Sequence, residues 1–280
     1  MFKKKIYLMV IAVLAFANIS AQNITSFTAT KTGKGNQNII MICGYGCSSK
    51  VWDETVNSLS ANATCYALNF SGFAGNTPQE EPSVPSWEKD IVDFIKKNKI
   101  DKPVLIGHSL GGTMVLDLAS QEPELFSKII VVDAFPCLPA LSNTAFKATD
   151  PINYSVYTDL FEKMTNDQFY NMQKAGILQM LSDTSKLSMV LDWSIKSDRR
   201  TLGKVLGYFM NTDLRVRLSA ITCPSLILLQ PNFKNTQDMV QQQYSSLKFA
   251  QIQYATKGLH FMMYDDKEWY LNSLRSFLKL

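Results

Sequence analysis

The chemistry in this chain centres on a serine set between glycines and on a scarce histidine. The segment Gly107-His108-Ser109-Leu110-Gly111 fits G-x-S-x-G. A short apolar run, "KPVLIG", ends at Gly107, and a helical run, "LGGTMVLDLASQEP", begins near Leu110. A serine at such a strand-to-helix turn is a nucleophile elbow. The turn is so sharp that its flanking positions must lack bulky side chains. It lifts the hydroxyl above a helix N-terminus, whose unpaired N–H groups and positive dipole end suit a developing oxyanion. A serine hydroxyl is a poor nucleophile near neutral pH and needs a base. The chain has 2 histidines. His108 adjoins Ser109, its side chain diverges from the elbow, and it is assigned to packing. His260, in "KGLHFMMYDD", is left as the base.

An imidazole base needs a carboxylate to hold its tautomer and to stabilise the imidazolium. Asp133 ends the strand-like run "IIVVDAFP", directly after the helix that Ser109 opens. Asp238, in "PNFKNTQD", stands near the start of a later helix. A strand-end aspartate also caps loops through backbone hydrogen bonds. Asp133 is the favoured acid, with Asp238 and no carboxylate partner as the alternatives.

The elements that must position these groups alternate. Strand-like runs are "SFTATK", Asn38 to Cys43, "TCYALNF", "KPVLIG", "FSKIIVV", "SLILLQ" and "AQIQYA". Helical periodicity separates them, as in "VWDETVNSLSAN", in "PSWEKDIVDFIKKNK" from about Ser86, and in the last helix, "DKEWYLNSLRSFLKL". Short apolar strands alternating with helices predict an α/β fold, with a mostly parallel sheet covered on both faces. The alternation stops between about Pro139 and Thr212, where Met, Gln, Lys and Leu recur at helical spacing. This is a helical insertion. "TGKG" at Thr32 to Gly35 lacks the spacing of a phosphate loop and opens no helix, so it reads as a turn.

Taken together, "GHSLGG", "CGYG" at Cys43 to Gly46, "NFSGFAGNT" at Asn69 to Thr77 and "GLHFMMYDD" resemble the α/β-hydrolase superfamily. The resemblance covers essentially the whole mature chain. It implies a hydrolase core at 22–138 and 213–280 and a helical cap at 139–212. It implies that "CGYG" is the oxyanion loop, with the backbone amides of Tyr45 and Leu110 as donors. Many members have His-Gly where this chain has Cys43-Gly44; a backbone donor tolerates that change. In most members the acid follows the penultimate strand, here "SLILLQ". The expected position holds Asn232, Phe233 and Lys234. Haloalkane dehalogenases and pancreatic-type lipases can place it after the strand that Asp133 ends. Trp52, a common family position, is read as core.

The resemblance implies ester hydrolysis through an acyl-enzyme, with no cofactor and no metal. Amide, thioester or carbon–carbon hydrolysis, perhydrolysis, and non-catalytic ligand binding are the alternatives on this scaffold. Met164, Phe169, Tyr170, Met172, Met180, Met189 and Trp193 are candidates to line an apolar pocket under the cap, or else to attach the cap to the core. "DRR", Asp198 to Arg200, is a candidate for anion recognition but reads better as a solvated helix face.

Composition narrows the partners. The chain has 280 residues, 46% hydrophobic and 19% charged, with a formal net charge of +4. Lys3, Lys4 and Lys5 supply most of that charge, so the balance gives no electrostatic case for nucleic acid. "MFKKKIYLMVIAVLAFANISAQ" has the basic, apolar and small-residue order of a secretory signal. Its apolar run is about 11 residues, against roughly 20 for a membrane span. Residues 1–21 are therefore expected to be cleaved, with export to the periplasm or medium. The expected partner is a small ester or acyl substrate, with no stable membrane span in the mature protein. The 5 cysteines are an odd number. A Cys47–Cys65 bridge is conceivable, and free buried thiols are the favoured reading.

Overall fold

A computed structural model describes residues 26–280; the expected signal segment lies outside the described residues. Seven strands form one sheet: β1 (Phe27–Thr32), β2 (Gln37–Ile42), β3 (Ala63–Phe70), β4 (Val104–His108), β5 (Lys128–Val132), β6 (Ser225–Leu229) and β7 (Ala250–Tyr254). Their order is β1-β3-β2-β4-β5-β6-β7. Only the β1–β3 pair is antiparallel. β1 lies at an edge and keeps a half-exposed alternation, whereas β4 and β6 are buried throughout. That difference is what a parallel sheet covered on both faces demands.

Helices on the core are α1 (Asp53–Leu59), α2 (Val84–Lys97) and α3 (Leu110–Gln121). Between β5 and β6 the chain forms α4 (Ser155–Lys163), α5 (Asn166–Leu178), α6 (Leu187–Ile195) and α7 (Arg199–Phe209). After β6 come α8 (Gln237–Tyr244), α9 (Met262–Asp265) and α10 (Lys267–Leu278). No described helix is long and apolar enough to cross a membrane. α2 buries Val84, Trp87, Ile91 and Ile95, one stripe at helical spacing. Trp87 stacks on Phe70 of β3, with ring centroids 4.8 Å apart. Trp52 is fully buried, as expected of a core residue, but it ends a 3-10 turn rather than sitting inside α1.

All five cysteines are buried and free. The Cys47–Cys65 bridge does not form: Cys65 is held inside β3, while Cys47 lies in the loop beyond β2.

The helices between β5 and β6 are tied to the core by directed bonds. The Asp198 N–H donates to Gly72 C=O at 2.7 Å, and the Ala74 N–H to Ser197 Oγ at 2.9 Å. Tyr208 of α7 donates to Asp117 of α3 at 3.1 Å. Asp117 also pairs with Arg217 at 2.6 Å and accepts from Gln121 at 2.9 Å. Glu88 is buried beside this cluster. Burial first, and then the Asp117 charge, push Glu88 well above the ordinary carboxylate range, against the pull of Arg217 and a hydrogen bond from Gln121. The folded chain therefore holds a proton on Glu88 that the unfolded chain releases. Stability falls as pH rises from the ordinary carboxylate value toward the raised one. Glu88→Gln copies the protonated form. It should raise the melting temperature at pH 8 by on the order of 2–4 °C for each kcal/mol regained, with the gain shrinking toward pH 5. Equal shifts at both pH values in a thermal scan would contradict this account.

Candidate active site

Register aligns the chemistry along one edge of the sheet. His108 pairs with Val132, and Val132 with Leu228. Ser109 and Asp133 are therefore the next residues on neighbouring strands, both at the C-terminal edge. The ladder runs on through them: the Ser109 N–H donates to Val132 C=O at 2.9 Å, and the Asp133 N–H to Leu228 C=O at 2.7 Å.

Ser109 sits at the N-cap of α3 with φ 54° and ψ −123°. A positive φ in a serine is strained backbone, held by what surrounds it. The elbow's glycines meet that need for space. A Cβ on Gly107 would lie 2.1 Å from Gly111 C=O, and one on Gly111 would lie 2.2 Å from Ile42 C=O. The Ser109 carbonyl accepts the N–H groups of Gly112 and Thr113 at 2.8 and 3.1 Å. The amide of Leu110, the first residue of α3, has no protein acceptor among the described residues, nor does that of Tyr45. Gly44 and Tyr45 border the same cavity as Ser109.

His260 follows β7 on a loop to which Asp265, the last residue of α9, and Asp266, directly after it, bind back. Asp266 accepts the N–H groups of Thr256 and Lys257 at 2.8 and 3.2 Å. Asp265 accepts the Leu259 N–H at 2.8 Å and, on its other side, the Asp183 N–H at 2.8 Å and the Ser182 N–H at 3.1 Å. Gly258 permits this closeness: its φ is +85°, and a Cβ there would lie 2.3 Å from Asp265 Cβ. Asp265 thus joins the His260 loop to the turn that follows α5. Asp265→Ala should lower kcat by up to about 100-fold, the cost of a small misplacement of a reacting group. KM should change less, and Asp265→Asn should restore part of the loss. Unchanged kcat in the alanine variant, from steady-state kinetics, would remove this positioning role.

The imidazole of His260 donates from Nδ1 to Asp133 Oδ2 at 2.6 Å. The Asp133 side chain is 2% exposed and that of His260 is 17% exposed. Asp133 also accepts the Gln230 N–H at 2.8 Å and the Gln230 side-chain Nε2–H at 3.1 Å. Four acceptor sites on a buried carboxylate are thereby largely satisfied. Asp238 lies in the exposed first turn of α8 and does not border the cavity. Sequence reading missed Gln230, the polar residue directly after β6. Its one signal was that place, at the end of the strand beside the strand that Asp133 ends.

His108 packs against the site, with its ring 4.5 Å from that of His260 and 4.9 Å from that of Phe261. Its Nε2 lies 3.1 Å from the His260 carbonyl. A carbonyl only accepts, so Nε2 carries the proton. Burial first, and then the His260 ring, hold its pKa well below the usual histidine value, so His108 is neutral. Its role therefore extends from packing to fixing the backbone of His260.

Ser109, His260 and Asp133 border one cavity of about 260 Å³. Of the seven insertion residues expected at such a pocket, Met180 borders it. Phe169 and Trp193 are buried elsewhere in the insertion, and Tyr170 is 40% exposed. Leu206 and Phe209, on one face of α7, border the cavity instead. Neither is among the seven expected residues, although their i, i+3 spacing marks one helical face. The "DRR" segment is away from the cavity. Asp198 caps α7 by accepting the Thr201 N–H at 2.7 Å, Arg199 donates to Met164 C=O at 2.5 Å, and Arg200 pairs with Glu81.

Comparison with known proteins follows the same lines. The family model for the alpha/beta hydrolase fold matches residues 37–201. The pimeloyl-[acyl-carrier protein] methyl ester esterase of Wigglesworthia glossinidia brevipalpis is 26% identical over 200 residues, spanning 69% of this chain and 74% of that protein. The protein of the same name from Nitrosomonas europaea is 26% identical over 204 residues, spanning 70% and 77%. Among solved structures, the enol-lactonase from Burkholderia xenovorans LB400 superposes with a TM-score of 0.75 at 13% identity, covering 91% of this chain and 96% of that one. A thermophilic esterase from Thermogutta terrifontis gives 0.75 at 14% identity, covering 90% and 93%. With more than half its length matched by the family model, this chain belongs to the alpha/beta hydrolase fold family.

Proposed function

We propose that the chain is an exported serine hydrolase that cleaves carboxylic esters through an acyl-enzyme. One observation carries the reading: a serine on a strained elbow shares a cavity with a histidine whose far ring nitrogen lies 2.6 Å from a buried carboxylate. The esterase names of the curated relatives support the same reaction class. In this reading Ser109 Oγ attacks the ester carbonyl carbon while His260 Nε2 takes its proton. The negative charge gathers on the carbonyl oxygen, which the amides of Tyr45 and Leu110 receive. The carbon–oxygen bond to the alcohol breaks, and His260 returns the proton to the leaving oxygen. Water then repeats the sequence on the acyl-enzyme and frees Ser109.

No hydrogen bond joins Ser109 to His260 among the described residues. Catalytic contacts of this kind are often long without substrate and tighten when it binds. Asp133 keeps Nδ1 protonated, so Nε2 is free to act as the base. Export rests on the basic and apolar order of residues 1–21. A fluorophosphonate probe tests the function: it should add one phosphonyl group to the protein, located by peptide mass spectrometry on Ser109. An unlabelled Ser109 in folded protein would favour a non-catalytic binding role. N-terminal sequencing of protein recovered outside the cytoplasm should begin at Gln22.

A further inference from the structure

We infer that the part of the ester enclosed by this cavity is a neutral aliphatic chain of about nine heavy atoms or fewer, carboxyl group included, and that Leu206, Phe209 and Met180 set that limit. The inference rests on Ser109 being the nucleophile.

Size comes first. The cavity of about 260 Å³ has room for roughly nine water-sized groups, each taking about 30 Å³. That is below the usual range of ligand pockets, roughly 300–1,000 Å³. From the inserted segment, its wall takes Leu206 and Phe209 of α7 and Met180. The backbone that carries them is anchored. The Met180 carbonyl accepts the Phe261 N–H at 3.2 Å, and α7 is held to the core through Tyr208 and through Tyr45, which donates to Leu202 C=O at 3.0 Å.

Charge comes second. Among the described residues, no lysine, arginine, asparagine or glutamine borders the cavity. Its remaining side-chain donors are already engaged, and the unpartnered His108 Nδ1 can only accept, so it offers nothing to an anion. The Tyr45 hydroxyl is committed to Leu202, and His108 Nε2 to the His260 carbonyl. Burial pushes the Cys47 thiol up to about 12, which keeps it uncharged. The one fixed charge is the Asp133 carboxylate, which repels an anion. A second carboxylate, a phosphate or a sugar on the enclosed chain would be stripped of water with no partner in return.

The test uses linear methyl esters followed by proton release. kcat/KM should rise by up to about fourfold per methylene, the worth of a buried CH₂, from methyl acetate to methyl hexanoate. It should gain nothing beyond methyl heptanoate. Dimethyl succinate should exceed monomethyl succinate by at least about 100-fold. Leu206→Trp should lower the hexanoate-to-acetate ratio at least about tenfold, and Phe209→Ala should move the best chain to longer acids. A rise continuing to methyl laurate, a half-ester cleaved as well as the diester, or a ratio unchanged in both variants overturns the inference. Probe labelling separates the two levels. Protein that labels at Ser109 but shows another profile overturns this inference alone. Protein that neither labels nor cleaves any ester overturns the nucleophile assignment and this inference with it.

Discussion

Ser109→Ala is expected to lower kcat for a short ester by on the order of a millionfold, as loss of the nucleophile does in serine hydrolases whose remaining groups cannot act alone. The fold should survive. Alanine keeps the Cβ, so the strained backbone at φ 54° meets the same sterics, and the Ser109 carbonyl still accepts the N–H groups of Gly112 and Thr113. Residual catalysis should come from oxyanion donors and binding, which together retain about 10³–10⁴ over water. Adding His260→Ala should cost little more, because a base without a nucleophile has no proton to take. The measurement is ester hydrolysis at high enzyme concentration, with circular dichroism to check the fold. Activity within tenfold of the parent in the single variant would end the assignment.

Asp133→Asn should lower kcat by about 10⁴ near neutral pH, while Asp238→Asn should leave it within about twofold. The reason lies in the donors that surround Asp133. The Gln230 N–H reaches Oδ1, whereas His260 Nδ1 and the Gln230 side chain both reach Oδ2. An asparagine that keeps its oxygen toward the Gln230 N–H turns its amide nitrogen toward His260. Two donors then face each other, and the imidazole relieves this by moving its proton to Nε2. That nitrogen can no longer accept the serine proton, the wrong-tautomer loss known for this substitution in serine proteases. Asp238, on an exposed turn, has no such link. Parallel kinetics of the two variants decide the matter; a large loss in Asp238→Asn with Asp133→Asn active would reverse the assignment.

Much of the fold was legible because local rules agree. Period-two and all-apolar runs marked all seven strands, and a serine between glycines marked the elbow because only small residues fit where Gly107 and Gly111 touch backbone. Boundaries were less legible. α2 starts at Val84 rather than Ser86, since proline at its second position suits a first turn. α9 went unread because four residues carry no usable period.

The candidate site divides in the same way. Composition reduced the possible bases to His260, since two histidines leave no further choice once one is turned from the elbow. Motif and spacing pointed to Ser109, a local feature of one turn. Pairing is not local. Asp133 and His260 are 127 positions apart, and their contact depends on the strand order β4-β5-β6-β7 and a register that brings separate loops to one edge. Gln230 against Asp133, Asp265 between two loops, and Leu206 and Phe209 as the cavity wall likewise exist only once the chain has folded. A hydrogen bond spans about 3 Å, and sequence distance carries no information on that scale. Residue type and periodicity identified the parts of the site, and the packing of sheet and inserted helices decided which of them meet.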